Sequence, residues 1–312
     1  MAQQALLLAD NAIQLGPQRP DGYLAKGLAY QALGQYSLAL EAYKQSSRKE
    51  PRWNMPVRFS AQVLERKGDL AGAYRKSVDA IAINHCDPMS YQELGSVLSI
   101  LGFEQRADQA YSKAVQFKPD FFTARVSRAR YQLDNDRVDN AMQEAQKLIA
   151  EAPDFPATQQ LLADIYLFAG DSVAASTHYR SSLSNTPRFS LYAQVRLAAI
   201  EDSRNEQLET TLRTLMQEQP EVREWPYYLA LLNAQWNNKT IALEYLSAAI
   251  EIGWLYAAST ERDPVLASLA SEPEFQAVLA TIKSRVKTAA EEVETLLSDE
   301  SASCDQFLLS ED

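Results

Sequence analysis

A spacing of 34 residues organises most of this chain, and three residue types follow it. The prolines on the spacing are Pro17, Pro51, Pro119, Pro153 and Pro187; the glycines are Gly34, Gly68, Gly102 and Gly170; the alanines are Ala39, Ala73, Ala107, Ala141 and Ala175. Asp136 stands at the one gap among the glycines. A fixed period of this length indicates a repeat architecture, in which each unit packs on its neighbours.

Each 34-residue unit predicts two amphipathic helices, which we call helix A and helix B. The glycine lies between them, where a residue without a Cβ can take a positive φ. The alanine lies in helix B where it crosses helix A, because a small side chain permits close approach. The proline ends helix B. The pattern therefore predicts an all-α fold, an α-solenoid of stacked antiparallel helix pairs.

The unit that begins at Pro88 carries the fullest set of repeated residues. They are Tyr91, Leu94, Gly95, Gly102, Ala107, Tyr111, Ala114 and Pro119. This spacing resembles the tetratricopeptide repeat (TPR) family, and the resemblance implies a right-handed superhelix. Seven repeats are predicted, at residues 20–53, 54–87, 88–121, 122–155, 156–188, 189–222 and 223–256. The sixth is the most degenerate, with Arg196 where Gly or Ala is usual and Leu208 where Ala is usual.

Residues 1–19 fit the second half of a repeat and are predicted to form a helix of the B type that caps the array. Without its own helix A, this helix leaves Leu6, Leu7 and Ile13 poorly covered. One interpretation is that the chain is a piece of a longer polypeptide cut inside a repeat. The alternative is a short natural capping helix.

The period ends after Ile252. Residues 257–297 predict capping helices, the last of them long and amphipathic, and residues 298–312 predict a disordered acidic tail. The long helix has apolar residues at alternating steps of four and three, typical of a coiled-coil seam. The candidate seam residues for a homodimer are Ile282, Val286, Ala289, Val293 and Leu296. We expect the first half of this helix to cap the array; the second half either pairs with another copy or folds back.

The stretch from Gly253 to Phe275 resembles the ending of certain bacterial TPR arrays. In those proteins the array follows a winged-helix transcription activator or a nucleotide-cyclase domain. The matching residues are Gly253, Trp254, Asp263, Pro264, Pro273 and Phe275. The resemblance implies an output domain upstream of the array.

Charge and composition exclude several classes of function. The net charge is −11 over 312 residues, and eight acids with no Lys or Arg lie in the last 22 residues. General nucleic-acid binding is therefore disfavoured. The sequence has no apolar run long enough to span a membrane and no secretory signal. Together with only two cysteines, Cys86 and Cys304, this predicts a cytoplasmic protein, unless an upstream signal or anchor is missing.

No catalytic, cofactor or metal site is predicted. His85 and His178 each lack a second His at helical spacing, and no glycine-rich phosphate-binding motif occurs. Asp134, Asp136 and Asp139 lack the Gly and Glu of a calcium loop and lie at a predicted turn.

The resemblance also implies a binding surface, because helix A lines the concave side of TPR arrays. The polar residues predicted to face this groove are Arg58, Gln62, Gln92, Ser96, Arg130, Gln160, Asp164 and Tyr227. Arginine and tyrosine are common anchors in interfaces, and arginine pairs with carboxylates. The ligand expected here is a partner protein or peptide, and an acidic group on it would suit the arginines.

The sequence thus predicts a non-enzymatic protein–protein interaction scaffold. The alternative hypothesis is a regulatory or sensory region of a longer signalling protein, of the transcription-activator or nucleotide-cyclase type, whose output domain lies outside this sequence.

Overall fold

The computed structural model describes residues 2–183 and 187–299, and the secondary structure of this part of the chain is helical throughout. Its α-helices in chain order are α1 (Ala2–Leu15), α2 (Pro20–Ala32), α3 (Tyr36–Lys49), α4 (Asn54–Arg66), α5 (Leu70–Ile83), α6 (Pro88–Ile100), α7 (Glu104–Phe117), α8 (Phe122–Asp134), α9 (Val138–Glu151), α10 (Pro156–Phe168), α11 (Ser172–Ser182), α12 (Pro187–Ile200), α13 (Glu206–Glu218), α14 (Glu224–Gln235), α15 (Lys239–Ile252), α16 (Ala257–Arg262) and α17 (Pro273–Asp299). A 3-10 helix, Pro264–Leu269, lies between α16 and α17.

Consecutive helices pack as A–B pairs in α2–α3, α4–α5, α6–α7, α8–α9, α10–α11 and α14–α15, so the predicted all-α solenoid is confirmed. The repeated alanines show why the spacing matters, since each has no exposed surface at the crossing of its pair. They are Ala39, Ala73, Ala107, Ala141 and Ala175, with Ala242 in the last pair.

Every turn from helix A to helix B contains a residue with positive φ. Four of these residues are the repeated glycines, and the other three are Asp136 (φ 62°), Asp202 (φ 48°) and Asn237 (φ 56°). Asp and Asn tolerate this left-handed conformation better than other residues with a Cβ. Asp136 therefore replaces glycine in the turn without changing its backbone path.

The described residues divide into two compact units. The first consists of the chain up to Pro119, the short segment Glu218–Arg223 and the chain from Val286 onward. The second consists of Asp120–Gln217 and Glu224–Arg285.

The first unit contains α1–α7 and the second half of α17. Helix α1 buries Ala9 but leaves Leu7, Leu8 and Leu15 exposed, Leu15 to 90%. Of the three residues predicted to be poorly covered, Leu7 is exposed, whereas Leu6 and Ile13 are half-buried.

The second half of α17 lies against the first unit. Val293 has no exposed surface, and the Glu292 carboxylate is 2.7 Å from Nη1 of Arg75 on α5. Of the predicted seam residues in this half, Val286, Ala289 and Leu296 are half-buried. The helix therefore folds back on the repeats, and homodimerisation through it stays a prediction.

The second unit contains α8–α12, most of α13, α14–α16 and the first half of α17. In this half of α17, Phe275, Leu279 and Ile282 are buried. Arg285 donates to the carbonyl of Ile250 at the end of α15, at 2.8 Å. This half therefore covers the end of the array. The predicted tail begins at Ser298, which is the last turn of α17, and its residues 300–312 lie outside the described part of the chain.

Candidate functional site

A ladder of side-chain hydrogen bonds crosses the A helices of the first unit. Tyr43 donates from its hydroxyl to Oε1 of Gln31 at 2.6 Å, and Gln31 donates from Nε2 to Oε1 of Gln62 at 2.5 Å. Gln62 in turn donates from Nε2 to Oε1 of Glu93 at 3.1 Å. The predicted groove residue Gln62 thus links the polar faces of α2, α4 and α6.

The other predicted groove residues of this unit differ in their exposure. Arg58 is buried, with Nε 3.6 Å from Oδ2 of Asp87 and its guanidinium 4.2 Å from the ring centre of Phe59. Gln92 and Ser96 are half-buried on α6. Arg58 therefore packs within the unit, while Gln92 and Ser96 keep accessible surface.

The carboxyl of Glu93 lies deep in this polar face. Burial raises its pKa to about 7. The positive charges of Arg58 and Arg66 and the hydrogen bond from Gln62 act in the opposite direction, and the charge of Glu65 adds to the increase. Glu93 therefore changes its protonation state near neutral pH.

In the second unit, Asp164 is the centre of a buried polar cluster. Its Oδ2 is 2.6 Å from Nη1 of Arg130, and its Oδ1 accepts hydrogen bonds from the hydroxyls of Tyr179 at 2.5 Å and Tyr192 at 2.6 Å. The neighbouring groove residue Gln160 is buried as well. Arg130 and Asp164, predicted separately as groove residues, are thus brought together as an ion pair.

A second buried carboxylate, Asp263, follows α16. Its Oδ1 is 2.7 Å from Nη1 of Arg196, and its Oδ2 accepts a hydrogen bond from the hydroxyl of Tyr227 at 2.8 Å. Asp263 also accepts from the backbone N–H of Val265, in the first turn of the 3-10 helix. The ring of Tyr227 stacks on Trp254 with centres 3.8 Å apart. The polar faces of α12 and α14 therefore hold an acidic residue from a segment beyond the array.

The residue before it, Arg262, extends this contact to α8. Its guanidinium donates to the carbonyls of Leu133 and Asp134, both at 3.1 Å, and lies 2.5 Å from Oδ1 of Asp136. Burial raises the pKa of Asp134 to about 6. Of the three acids predicted to lie at a turn, Asp136 lies in it, Asp134 is the last residue of α8, and Asp139 is exposed at the start of α9.

Sequence reasoning missed Arg196, Tyr192 and Asp263 as members of this polar face. Arg196 carried a signal, because it occupies a position where the repeat normally has Gly or Ala. Such a position lies where helices approach closely, so an arginine there needs a buried acidic partner. Asp263 was separated from Arg196 by 67 residues and by the end of the period, so the repeat pattern gave no reason to join them.

The described residues contain no group of three or more His, Cys, Asp and Glu side chains placed to hold a metal ion. None of their helices is long and apolar enough to cross a membrane. His178 is packed, with its ring stacked 5.4 Å from that of Tyr166 and Nδ1 2.8 Å from Oε1 of Gln159.

Comparison with known proteins agrees with the repeat pattern. Residues 20–48, within the first predicted repeat, match the family model described as tetratricopeptide repeat. No curated protein matches the sequence.

Several solved structures share the fold. A thermophilic TPR protein of Thermus thermophilus is 20% identical with a TM-score of 0.53, over 58% of this chain and 98% of that one. Yeast Tom70 is 12% identical with a TM-score of 0.51, over 99% of this chain and 62% of that one. A chain of the APC/C hetero-tetramer Cut9–Hcn1 is 12% identical with a TM-score of 0.57, over 90% of this chain and 52% of that one.

The similarity to these structures shows the fold alone. One repeat of this chain thus matches the tetratricopeptide repeat model, and the described helix pairs have the fold of tetratricopeptide repeat solenoids.

Proposed function

We propose that this chain is a non-enzymatic interaction scaffold that binds an extended, acidic segment of a partner protein along the helix A face of its first unit. Such repeats serve typically as protein-interaction scaffolds, because stacked helix pairs present a long surface built from many side chains. The predicted residues that keep accessible surface on this face are Gln62, Gln92 and Ser96.

One observation carries the proposal. In the second unit, helix A faces already hold an acidic residue, since the carboxylate of Asp263, the extended residue between α16 and the 3-10 helix, is bound by Arg196 and Tyr227. A carboxylate accepting hydrogen bonds from arginine and tyrosine is a strong, directional contact. By analogy, we expect the helix A face of the first unit to hold a carboxylate of another protein through hydrogen bonds from the side chains of Gln62, Gln92 and Ser96, which keep accessible surface.

A peptide selection on the full chain tests this proposal. Peptides selected from a random library are expected to be rich in Asp and Glu, and Ser96→Glu is expected to weaken them about tenfold, because it adds a like charge to the face. Ser112→Glu is the matched control: the same substitution in the same repeat, on the exposed side of helix B. Equal binding to both variants, with both folded by circular dichroism, would contradict the proposal.

The alternative function, a regulatory region of a longer signalling protein, draws support from the residues after Ile252. Trp254 and Asp263, which carry the resemblance to bacterial signalling arrays, both contact Tyr227 in the last repeat. An immunoblot of the natural protein with an antibody to the array tests it. The alternative requires a protein clearly larger than 312 residues. Detection of only a 312-residue protein would exclude it.

A further inference from the structure

Three consecutive residues, Glu221, Val222 and Arg223, lie in the connection between α13 and α14 and belong to the first unit. They contact the turn between α2 and α3 and the end of α4, which precede them by more than 150 residues. Their side chains lie in three different environments on the first unit. The environment of Glu221 suits an acid, that of Val222 an apolar residue and that of Arg223 a base.

The carboxylate of Glu221 lies at the N-terminus of α3. It accepts hydrogen bonds from the backbone N–H of Ser37 at 3.1 Å and from its hydroxyl at 2.8 Å, and it is 2.6 Å from Nζ of Lys67. Burial disfavours the charged carboxyl, but these hydrogen bonds outweigh it and lower the pKa of Glu221. Unsatisfied N–H groups and the helix dipole make this end of α3 favourable for an acid.

The guanidinium of Arg223 lies at the opposite kind of helix end. It donates from Nη1 to the backbone carbonyl of Glu65 at 2.8 Å and from Nη2 to Oε1 of the same residue at 2.7 Å. Glu65 is in the last turn of α4, where the helix dipole favours a positive charge. The side chains of Arg223 and Glu65 are only 3% and 9% exposed.

Val222 fills the space between these two charged contacts. It is buried against Gly34, and a Cβ at position 34 would lie 2.6 Å from Cγ2 of Val222. Gly102 occupies the same position in another repeat with a similar φ, 81° against 70°, and a Cβ there would meet nothing within 4 Å. The absence of a side chain at Gly34 thus makes room for Val222 as well as permitting the turn.

The geometry points to a binding site on the first unit for a segment with an acid, a small apolar residue and an arginine in sequence. We infer that the chain's own Glu221–Arg223 fills this site in the absence of a partner, and that a partner protein with such a segment binds there in its place. The surface differs from the helix A face proposed above, so the two proposals stand or fall separately.

The position of the segment makes exchange feasible. It lies in the connection between α13 and α14, outside both helices. At its acidic end, Glu221 and Lys67 are 30% and 32% exposed, which gives an incoming carboxylate access to Lys67 before Arg223 leaves.

The test uses the full chain and a fluorescent peptide with the sequence of residues 219–224, Gln-Pro-Glu-Val-Arg-Glu. The variant Glu221→Ala/Val222→Asp releases the internal segment and is expected to bind the peptide about tenfold more tightly than the unaltered chain, by fluorescence anisotropy. The same peptide with its central Glu and Arg exchanged is expected not to bind. A folded released variant that binds no better than the unaltered chain overturns the proposal.

Two glycine variants in the released background locate the binding. Gly34→Ala is expected to weaken the peptide about tenfold, because its Cβ occupies the space of the valine. Gly102→Ala carries similar backbone strain without that contact and is expected to leave binding unchanged. Equal effects of the two variants would place the peptide elsewhere and overturn the proposal.

Misfolding of the released variant and dimerisation of the unaltered chain each have a defined meaning for the proposal. If the released variant fails to fold by circular dichroism, Glu221→Ala alone, which keeps the buried Arg223–Glu65 pair, must still bind the peptide more tightly than the unaltered chain, or the proposal fails. If light scattering shows a dimer of the unaltered chain that Gly34→Ala abolishes, the occupant is a second copy and the proposal of a different partner is overturned.

Discussion

Single buried carboxylates each connect several helices of the second unit. Asp164 joins α8, α10, α11 and α12 through three side-chain partners, and Asp263 joins α12 and α14 to the segment that follows the array. A buried charge is tolerated only with such partners, because its removal from water costs several kcal/mol. These residues therefore determine how the second unit is held together.

We predict that Asp263→Asn destabilises the protein by about 3–5 kcal/mol, because it leaves the buried guanidinium of Arg196 without a negative partner. Urea unfolding followed by circular dichroism measures this. Asp154→Asn is the control, since Asp154 is exposed and the change there is expected to stay within about 0.5 kcal/mol. A loss no larger for Asp263→Asn than for the control would show that the pair does not stabilise the fold.

Glu93 predicts a pH dependence. Its pKa is raised from 4.5 to about 7 in the folded protein, so the folded state holds the proton more tightly than the unfolded state. The stabilisation from protonated Glu93 is fully present below pH 4.5 and is lost as the pH rises to about 7. We expect Glu93→Gln to remove this loss, which amounts to about 3 kcal/mol.

The measurement is the free energy of unfolding at several pH values from 5 to 8, for both proteins. The difference between them is expected to grow in favour of Glu93→Gln as the pH rises. A constant difference across that range would mean that Glu93 titrates at its ordinary pKa.

At the scale of the element, the repeat pattern predicted most of the helices. The 34-residue spacing placed the A–B pairs between residues 20 and 256, and the gap at Asp136 was correctly expected to be a turn. The prediction of the helix pairs succeeds because each repeat buries its apolar face on its immediate neighbours. The local spacing of residues is therefore enough to locate the helices.

Because the repeat spacing relates only neighbouring units, it did not predict contacts between distant parts of the chain. The contacts of Glu221–Arg223 with α3 and α4, and of Arg262 with α8, join residues more than 120 positions apart. Periodicity describes neighbouring units only and contains no signal for such contacts. The predicted groove residues illustrate the limit: Arg58, Asp164 and Tyr227 were expected to face a binding groove, but all three are buried against partners within the chain.

The second half of α17 provides a prediction at this scale. Val293→Asp places a carboxylate in a fully buried position and is expected to detach residues 286–299 from the first unit. Limited proteolysis read by mass spectrometry should then show faster cleavage in this stretch. Thr295→Asp introduces the same side chain at an exposed position two residues away and is the control. Equal cleavage rates for the two variants would contradict the burial of this half-helix.

The first unit is assembled from three separate stretches of the chain. Its repeats come from the chain before Pro119, but two of its segments come from residues 218–223 and from the end of α17. Neighbour packing alone should let residues 1–119 fold. However, the fragment lacks Arg223, so Glu65 loses the guanidinium that it binds in the full chain.

We therefore predict that the effect of Glu65→Gln depends on the context. In the full chain it should lower the melting temperature, because it leaves Arg223 buried without that carboxylate. In the fragment 1–119 the melting temperature should change little, because the segment that covers Glu65 is absent and water solvates the carboxylate. Thermal melts followed by circular dichroism measure both. An equal decrease in both contexts would show that Arg223 does not determine the contribution of Glu65.

The division of the first unit among distant segments also has a consequence in time. A ribosome adds ~5–20 residues per second, so roughly 5–20 s pass while it makes the ~100 residues between Pro119 and Arg223. During that interval the early repeats are outside the ribosome while the segment that will cover Gly34 and Glu65 is still being made. A partner present during synthesis thus meets an open site on the nascent chain, whereas one that arrives later must displace Glu221–Arg223.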